Sequence, residues 1–174
     1  MLVAVVLMGV GLYWFQPWKL WTDETVNEAL PSAAARPQAP TASPQPGSTG
    51  APSAPDGPRT IAQGGLISHE HTTTGTAKIV QLPDGSWALR LENLDTSNGP
   101  DLRVWLTDAP VKEGVAGWRV FDDGKHVSLG RLKGNKGDQN YPIPAEVQLA
   151  EYTSVTIWCD RFDVSFGAAE LGRV

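Results

Sequence analysis

Between Val155 and Phe166 the side chains alternate in character with a period of two, the mark of a strand and not of a helix. Val155, Ile157 and Cys159 fall on one face of an extended chain, with Thr156 and Trp158 on the other. After the polar pair Asp160-Arg161 the alternation resumes, and Phe162, Val164 and Phe166 share a face. Two strands joined tightly, or one strand with a bulge, satisfy this pattern.

The same period recurs upstream. Trp87, Leu89 and Leu91 share a face opposed by Arg90 and Glu92, and Leu102, Val104 and Leu106 line another between Gly99-Pro100 and Pro110. Pro83-Asp84-Gly85 separates strand-like residues 76–82 from 86–94, with proline presetting φ and glycine accepting positive φ. Residues 61–68, with Gly64-Gly65 as a bulge, and 127–132 read as further strands. Residues 111–124 are less regular, with Trp118 and Phe121 expected beneath them, and 134–144 read as a polar Gly/Pro loop. No long window keeps a helical period. About seven or eight short strands imply an all-β domain, an antiparallel β-sandwich, over residues 60–174.

The N-terminal third differs in kind. No charge precedes Lys19, and Tyr13, Trp14, Trp18 and Trp21 cluster at the end of the apolar run like an interfacial aromatic belt. Residues 1–21 have roughly the length of a spanning helix, so a single-pass transmembrane anchor is expected. A cleaved signal segment is the competing reading, but a basic leader and an adjacent small-residue cleavage site are missing. Acidic residues 22–30 are expected to continue the helix briefly. Residues 31–58 hold eight prolines among 28 residues, a composition expected to form a disordered spacer within a linker spanning 22–59. The β domain would then sit on the extracytoplasmic side of the cell membrane.

Chemistry is sparse. The net charge of −5 comes without long runs of either sign, which argues against a nucleic-acid partner. No hydrolytic triad, paired-carboxylate site or phosphate loop is present. Cys159 is the only cysteine, so no internal disulfide can form. A small buried hydrophobe is one reading of it. The other is a reactive thiol at a strand end, partly open to solvent, with Arg161 lowering its pKa and Asp160 opposing this. His69 and His71, at i and i+2, would point the same way on a strand. Two imidazoles and a thiolate form the ligand set of a type-one copper centre, and Cys or His can ligate haem iron. His126 reads as loop decoration.

Four blocks occur in order: His71-Thr72-Thr73-Thr74-Gly75-Thr76-Ala77, Ser97-Asn98-Gly99-Pro100-Asp101 running on to Leu106, residues 129–144, and residues 155–171. Together they resemble the DM-thirteen domain, an electron-transfer family that accompanies DOMON domains in animal surface proteins. The resemblance covers residues 64–171. It implies a redox role for Cys159, as a naked thiol or as ligand to a prosthetic group such as haem. His71 matches the histidine of the family pattern and His69 does not, which disfavours copper. The resemblance implies an electron-transfer or accessory module more than a stand-alone enzyme, exchanging electrons or thiols with a redox partner protein at the membrane or cell surface. His71 and residues 134–144 are the expected neighbours of Cys159. The alternative is a non-catalytic binding or wall-organising module with an inert cysteine. In the Gly99-Pro100-Asp101 and Gly137–Tyr141 blocks, Asp101, Asp138 and Gln139 are expected to bond loop backbone.

Overall fold

The computed structural model describes residues 2–31 and 57–174. In chain order these form α1 (Leu2–Phe15), β1 (Thr25–Asn27), β2 (Arg59–Gly65), β3 (Ile67–Ser68), β4 (Thr74–Gln81), β5 (Trp87–Asp95) and β6 (Leu102–Thr107). They continue with β7 (His126–Arg131), β8 (Lys136–Ile143), β9 (Ser154–Cys159), β10 (Val164–Glu170) and β11 (Gly172–Arg173).

The eleven strands make two sheets, ordered β1-β8-β5-β4-β2-β11 and β3-β10-β9-β6-β7. Every pairing is antiparallel except β1 with β8. One core lies between the sheets. Ile79, Leu89, Leu91 and Tyr141 come from the first sheet, and Val104, Leu106, Val155, Ile157 and Val164 from the second. These are the alternate residues that period two assigns to one face.

The β9–β10 pairing contains both features that the alternation allows. A four-residue turn joins Cys159 to its partner Val164, and the register shifts by one residue between Ser165 and Gly167. Alternation alone brings Val164 and Phe166 to the core, and the shift lets Ala169, three residues after Phe166, face inward in phase with Val155.

Three expectations change. Residues 134–144 contain a strand, β8, and not a loop throughout. Its sequence hides the period because Gln139 is fully buried yet polar, and its side-chain amide is spent on backbone. Gln139 Nε2 donates to the Gly134 carbonyl at 2.6 Å, and its Oε1 accepts from the Lys133 amide at 3.2 Å.

Residues 22–30 do not continue a helix. They lie extended, with Thr25, Val26 and Asn27 in register with Lys136, Gly137 and Asp138.

The apolar N-terminal run is helical only to Phe15. Gln16 then takes a left-handed conformation (φ 43°), and a 3-10 turn follows over Pro17–Trp21. Fourteen residues at about 1.5 Å each fall short of the roughly 30 Å hydrocarbon layer. Among the described residues no helix is long and apolar enough to cross a membrane. The spacer expected over residues 31–58 lies almost wholly outside the described residues.

Candidate redox site

Cys159 ends β9, opposite Leu102 of β6 on one side and Val164 of β10 on the other. The Phe162 amide donates to the Cys159 carbonyl at 3.2 Å, and the Asp160 amide to the Asp101 carbonyl at 3.0 Å. Asp163 completes the turn in a left-handed conformation (φ 49°).

The side chain keeps the inward phase of Val155 and Ile157, and its exposure is 0 %. This corrects the expectation of a partly open thiol. Leu102, Val164 and Phe166 belong to the same buried cluster, with Phe162 packed against it, so the turn closes the strand end.

Burial pushes the thiol pKa up, against the backbone amides of Arg161, Phe162 and Asp101, and the Glu70 carboxylate adds to the rise. The Arg161 guanidinium is not the perturbing charge. It donates to the carbonyls of Tyr13 and Trp14, at 3.2 and 2.7 Å, where α1 ends. Asp160 pairs with Arg103 at 3.2 Å.

The two histidines part company. Neither sits on a strand: β3 stops at Ser68 and the chain bends through 69–71. The His71 ring lies on Phe166, centroids 3.9 Å apart, with Nε2 3.9 Å from a Glu70 carboxylate oxygen. It lines a cavity of 290 Å³ with Phe15, Pro100, Phe162 and Phe166, so His71 shares the Phe162–Phe166 layer at the cysteine end. Residues 134–144 belong to the opposite sheet, and none of them lines that cavity.

His69 is buried on the outer face of the second sheet, away from the face Cys159 occupies. Its Nε2 donates to the Lys112 carbonyl at 3.0 Å. Nδ1 therefore accepts, from Ser165 Oγ at 2.7 Å. Thr156 Oγ1 extends the chain to Ser165 at 2.8 Å. Burial lowers the pKa of both histidines.

His69, His71 and Cys159 do not converge, and among the described residues no group of three or more His, Cys, Asp or Glu could hold a metal ion. Haem iron ligated by Cys159 does not fit either. The cavity wall presents His71 and not the cysteine, and a buried thiol with a raised pKa is a poor source of the thiolate that ligation needs. The chemistry open to Cys159 is that of a neutral, enclosed thiol.

Sequence reasoning missed two neighbouring groups. One is the ion cluster behind the turn. Asp101 lies 3.4 Å from Arg103 and 3.3 Å from Arg131, and Arg103 reaches Asp160. Asp101 is therefore an ion-pair partner and not a loop-backbone acceptor, whereas Asp138 accepts from the Asn93 amide at 2.8 Å and Gln139 bonds backbone as described. The other group is the outer-face layer of Trp105, Phe121, Trp158 and Ala168. Its signal was present: strict alternation puts Trp105 opposite Leu106, and Trp158 opposite Cys159.

A two-sheet β domain with one enclosed cysteine beside a hairpin turn defines a class of small extended-chain scaffolds. Residues 65–171 match the family model described as Electron transfer DM13, and the chain belongs to that family. No curated protein and no solved structure matches it.

Proposed function

We propose that this protein is an electron-transfer module anchored to the cell membrane by its N-terminal segment, with the domain outside and Cys159 as its redox group. The family match carries the reading, because it spans Cys159 and describes electron transfer. The burial of Cys159 selects among its mechanisms. A disulfide cannot reach an enclosed, protonated thiol to be attacked by it, whereas an electron can leave it without contact, so one-electron transfer is favoured over thiol exchange and over haem ligation. The anchor is supported by exposed Val3, Val5, Leu7, Met8, Tyr13, Trp14 and Phe15, an apolar surface that water does not favour. The partner is a one-electron carrier protein at the membrane or cell surface.

The burial equally suits a binding or surface-organising module with an inert cysteine, and one experiment separates the two. Carbonate-washed membranes from cells expressing the whole chain should retain it and should reduce ferricyanide in a manner lost in Cys159→Ser. Equal reduction by Cys159→Ser overturns the redox reading. Recovery of the chain in the wash overturns the anchor.

A further inference from the structure

The outer face of the β9–β6–β7 sheet carries a continuous run of stacked rings. Trp105 and Trp158, diagonal neighbours on β6 and β9, overlap with centroids 5.1 Å apart and planes at 26°. His126 lies flat on Trp105 at 4.2 Å and 9°. Farther along the same face Phe121 meets Trp158 edge-on at 6.4 Å, and His69 follows at 5.7 Å from Phe121. Of these five rings only His126 is exposed, while Trp105 and Trp158 are 6 % and 1 % exposed. The run thus begins at the surface and leads to the residue bonded to Cys159.

Two features suit this stack to more than packing. Indole is the most easily oxidised of the neutral aromatic side chains, and here two of them overlap. Trp105 Nε1 is buried without a hydrogen-bond partner among the described residues. An oxidised Trp105 has no base to take its proton, so it stays a radical cation that its neighbour can refill.

We propose that Trp105 and Trp158 form an electron relay between a docking surface at His126 and Cys159. The inference rests on the redox reading of Cys159 and adds its route. A one-electron oxidant at His126 takes an electron from Trp105 and is reduced by one unit. Trp158 refills Trp105. The thiol refills Trp158, giving a thiyl radical and one proton, which leaves toward the Glu70 carboxylate and solvent. No bond between heavy atoms forms or breaks. The sum is one electron to the oxidant and one hydrogen atom's equivalent from the S–H bond. Reversal with a reduced partner and a proton restores the thiol.

The test uses the whole chain with a ruthenium bipyridine group attached to the exposed His126 imidazole, its position verified by peptide mapping. Flash oxidation of the metal should give a transient indole radical cation. Its decay should match the rise of a thiyl radical on Cys159, read by rapid-freeze electron paramagnetic resonance because the enclosed sulfur is out of reach of a trapping reagent. Trp105→Phe and Trp158→Phe should each reduce that thiyl signal to background while the circular dichroism of the β domain is kept. Cys159→Ser should leave the indole radical long-lived.

An undiminished thiyl signal in both Phe variants overturns the relay and leaves the cysteine as the redox group. An indole radical in the native chain with no thiyl at Cys159 overturns the relay and the cysteine reading together. Trp105→Phe, at the surface end, decides the matter alone if Trp158→Phe fails to fold.

Discussion

Two opposing effects act on Cys159, and their balance sets its reactivity. Burial disfavours the thiolate, and the backbone amides of Arg161, Phe162 and Asp101 only partly offset it. A thiol whose folded pKa lies above its unfolded value stabilises the fold below the unfolded value, and that contribution drains away as pH rises. The unfolded thiol titrates near 9.0. The stability of the native domain should therefore fall between pH 9 and about 10, before the lysines add their own loss. Denaturation midpoints across this window should be flatter in Cys159→Ala, and a native slope equal to that of the variant would show that the thiol titrates alike in both states. In the same protein, iodoacetamide should label Cys159 far more slowly at neutral pH than after unfolding, since both access and thiolate fraction are low.

At the scale of elements, the connection between β6 and β7 is held down by His69. Its neutral imidazole spends one nitrogen on the Lys112 carbonyl and the other on Ser165. Ser165 also has its amide bonded to the Trp118 carbonyl at 2.8 Å. The folded pKa of His69 is depressed by burial, as is that of His71 despite the Glu70 carboxylate near it. A depressed folded pKa means that the unfolded chain takes up protons first. Stability is then full above about pH 6.5 and falls as pH drops below it. Urea midpoints should fall from pH 7 to pH 5, well before the ion-paired carboxylates Glu28 and Glu92 are protonated. His69→Gln and His71→Gln should each remove roughly half of that slope, and the double variant nearly all of it. An unchanged slope in the double variant would place the acid sensitivity elsewhere.

The β9–β10 hairpin and the inward faces of β5 and β6 were legible because alternation and burial coincide there. His69 was not. Its spacing from His71 suggested a shared face, but the strand ends one residue earlier, and sequence spacing carries no direction once the chain bends. The burial of Cys159 was hidden for a related reason. Strand phase aimed it inward, yet whether a strand end is open depends on how the turn residues Phe162 and Asp163 fold back.

At the scale of the whole molecule, residues 23–29 belong physically to the β domain although residues 32–56 separate them from it in sequence. Nothing in Thr25-Val26-Asn27 announces a strand, because its pairing is dictated by what β8 and β5 leave open. Arg90, only 7 % exposed, points outward from the core, donating to the Glu28 carbonyl at 2.9 Å and to Asp138 at 2.7 Å. Asn140 donates to the Ala29 carbonyl at 2.8 Å, and Asn135 takes the Glu24 amide at 2.7 Å. Lys133 pairs with Glu28 at 2.7 Å, and Lys136 with Asp23 at 2.9 Å.

The entropy of ordering residues 23–29 offsets much of what these bonds contribute, so the segment adds a modest margin to a domain that folds without it. A chain beginning at residue 57 should fold but melt several degrees lower than the whole protein, and a peptide spanning 22–31 should restore part of the loss in trans.

Gly137 gives a variant that tests the same contact without truncation. Its φ of 93° suits glycine, and a Cβ there would run into the Val26 carbonyl oxygen. Gly137→Ala in the whole chain should therefore lose stability comparable to the truncation, and the peptide should no longer rescue a truncated Gly137→Ala domain. Equal melting temperatures for the whole chain and the chain from residue 57 would mean that β1 adds nothing to the fold. In that event Arg90 would be held by Glu92, Asp138 and Asn140 alone.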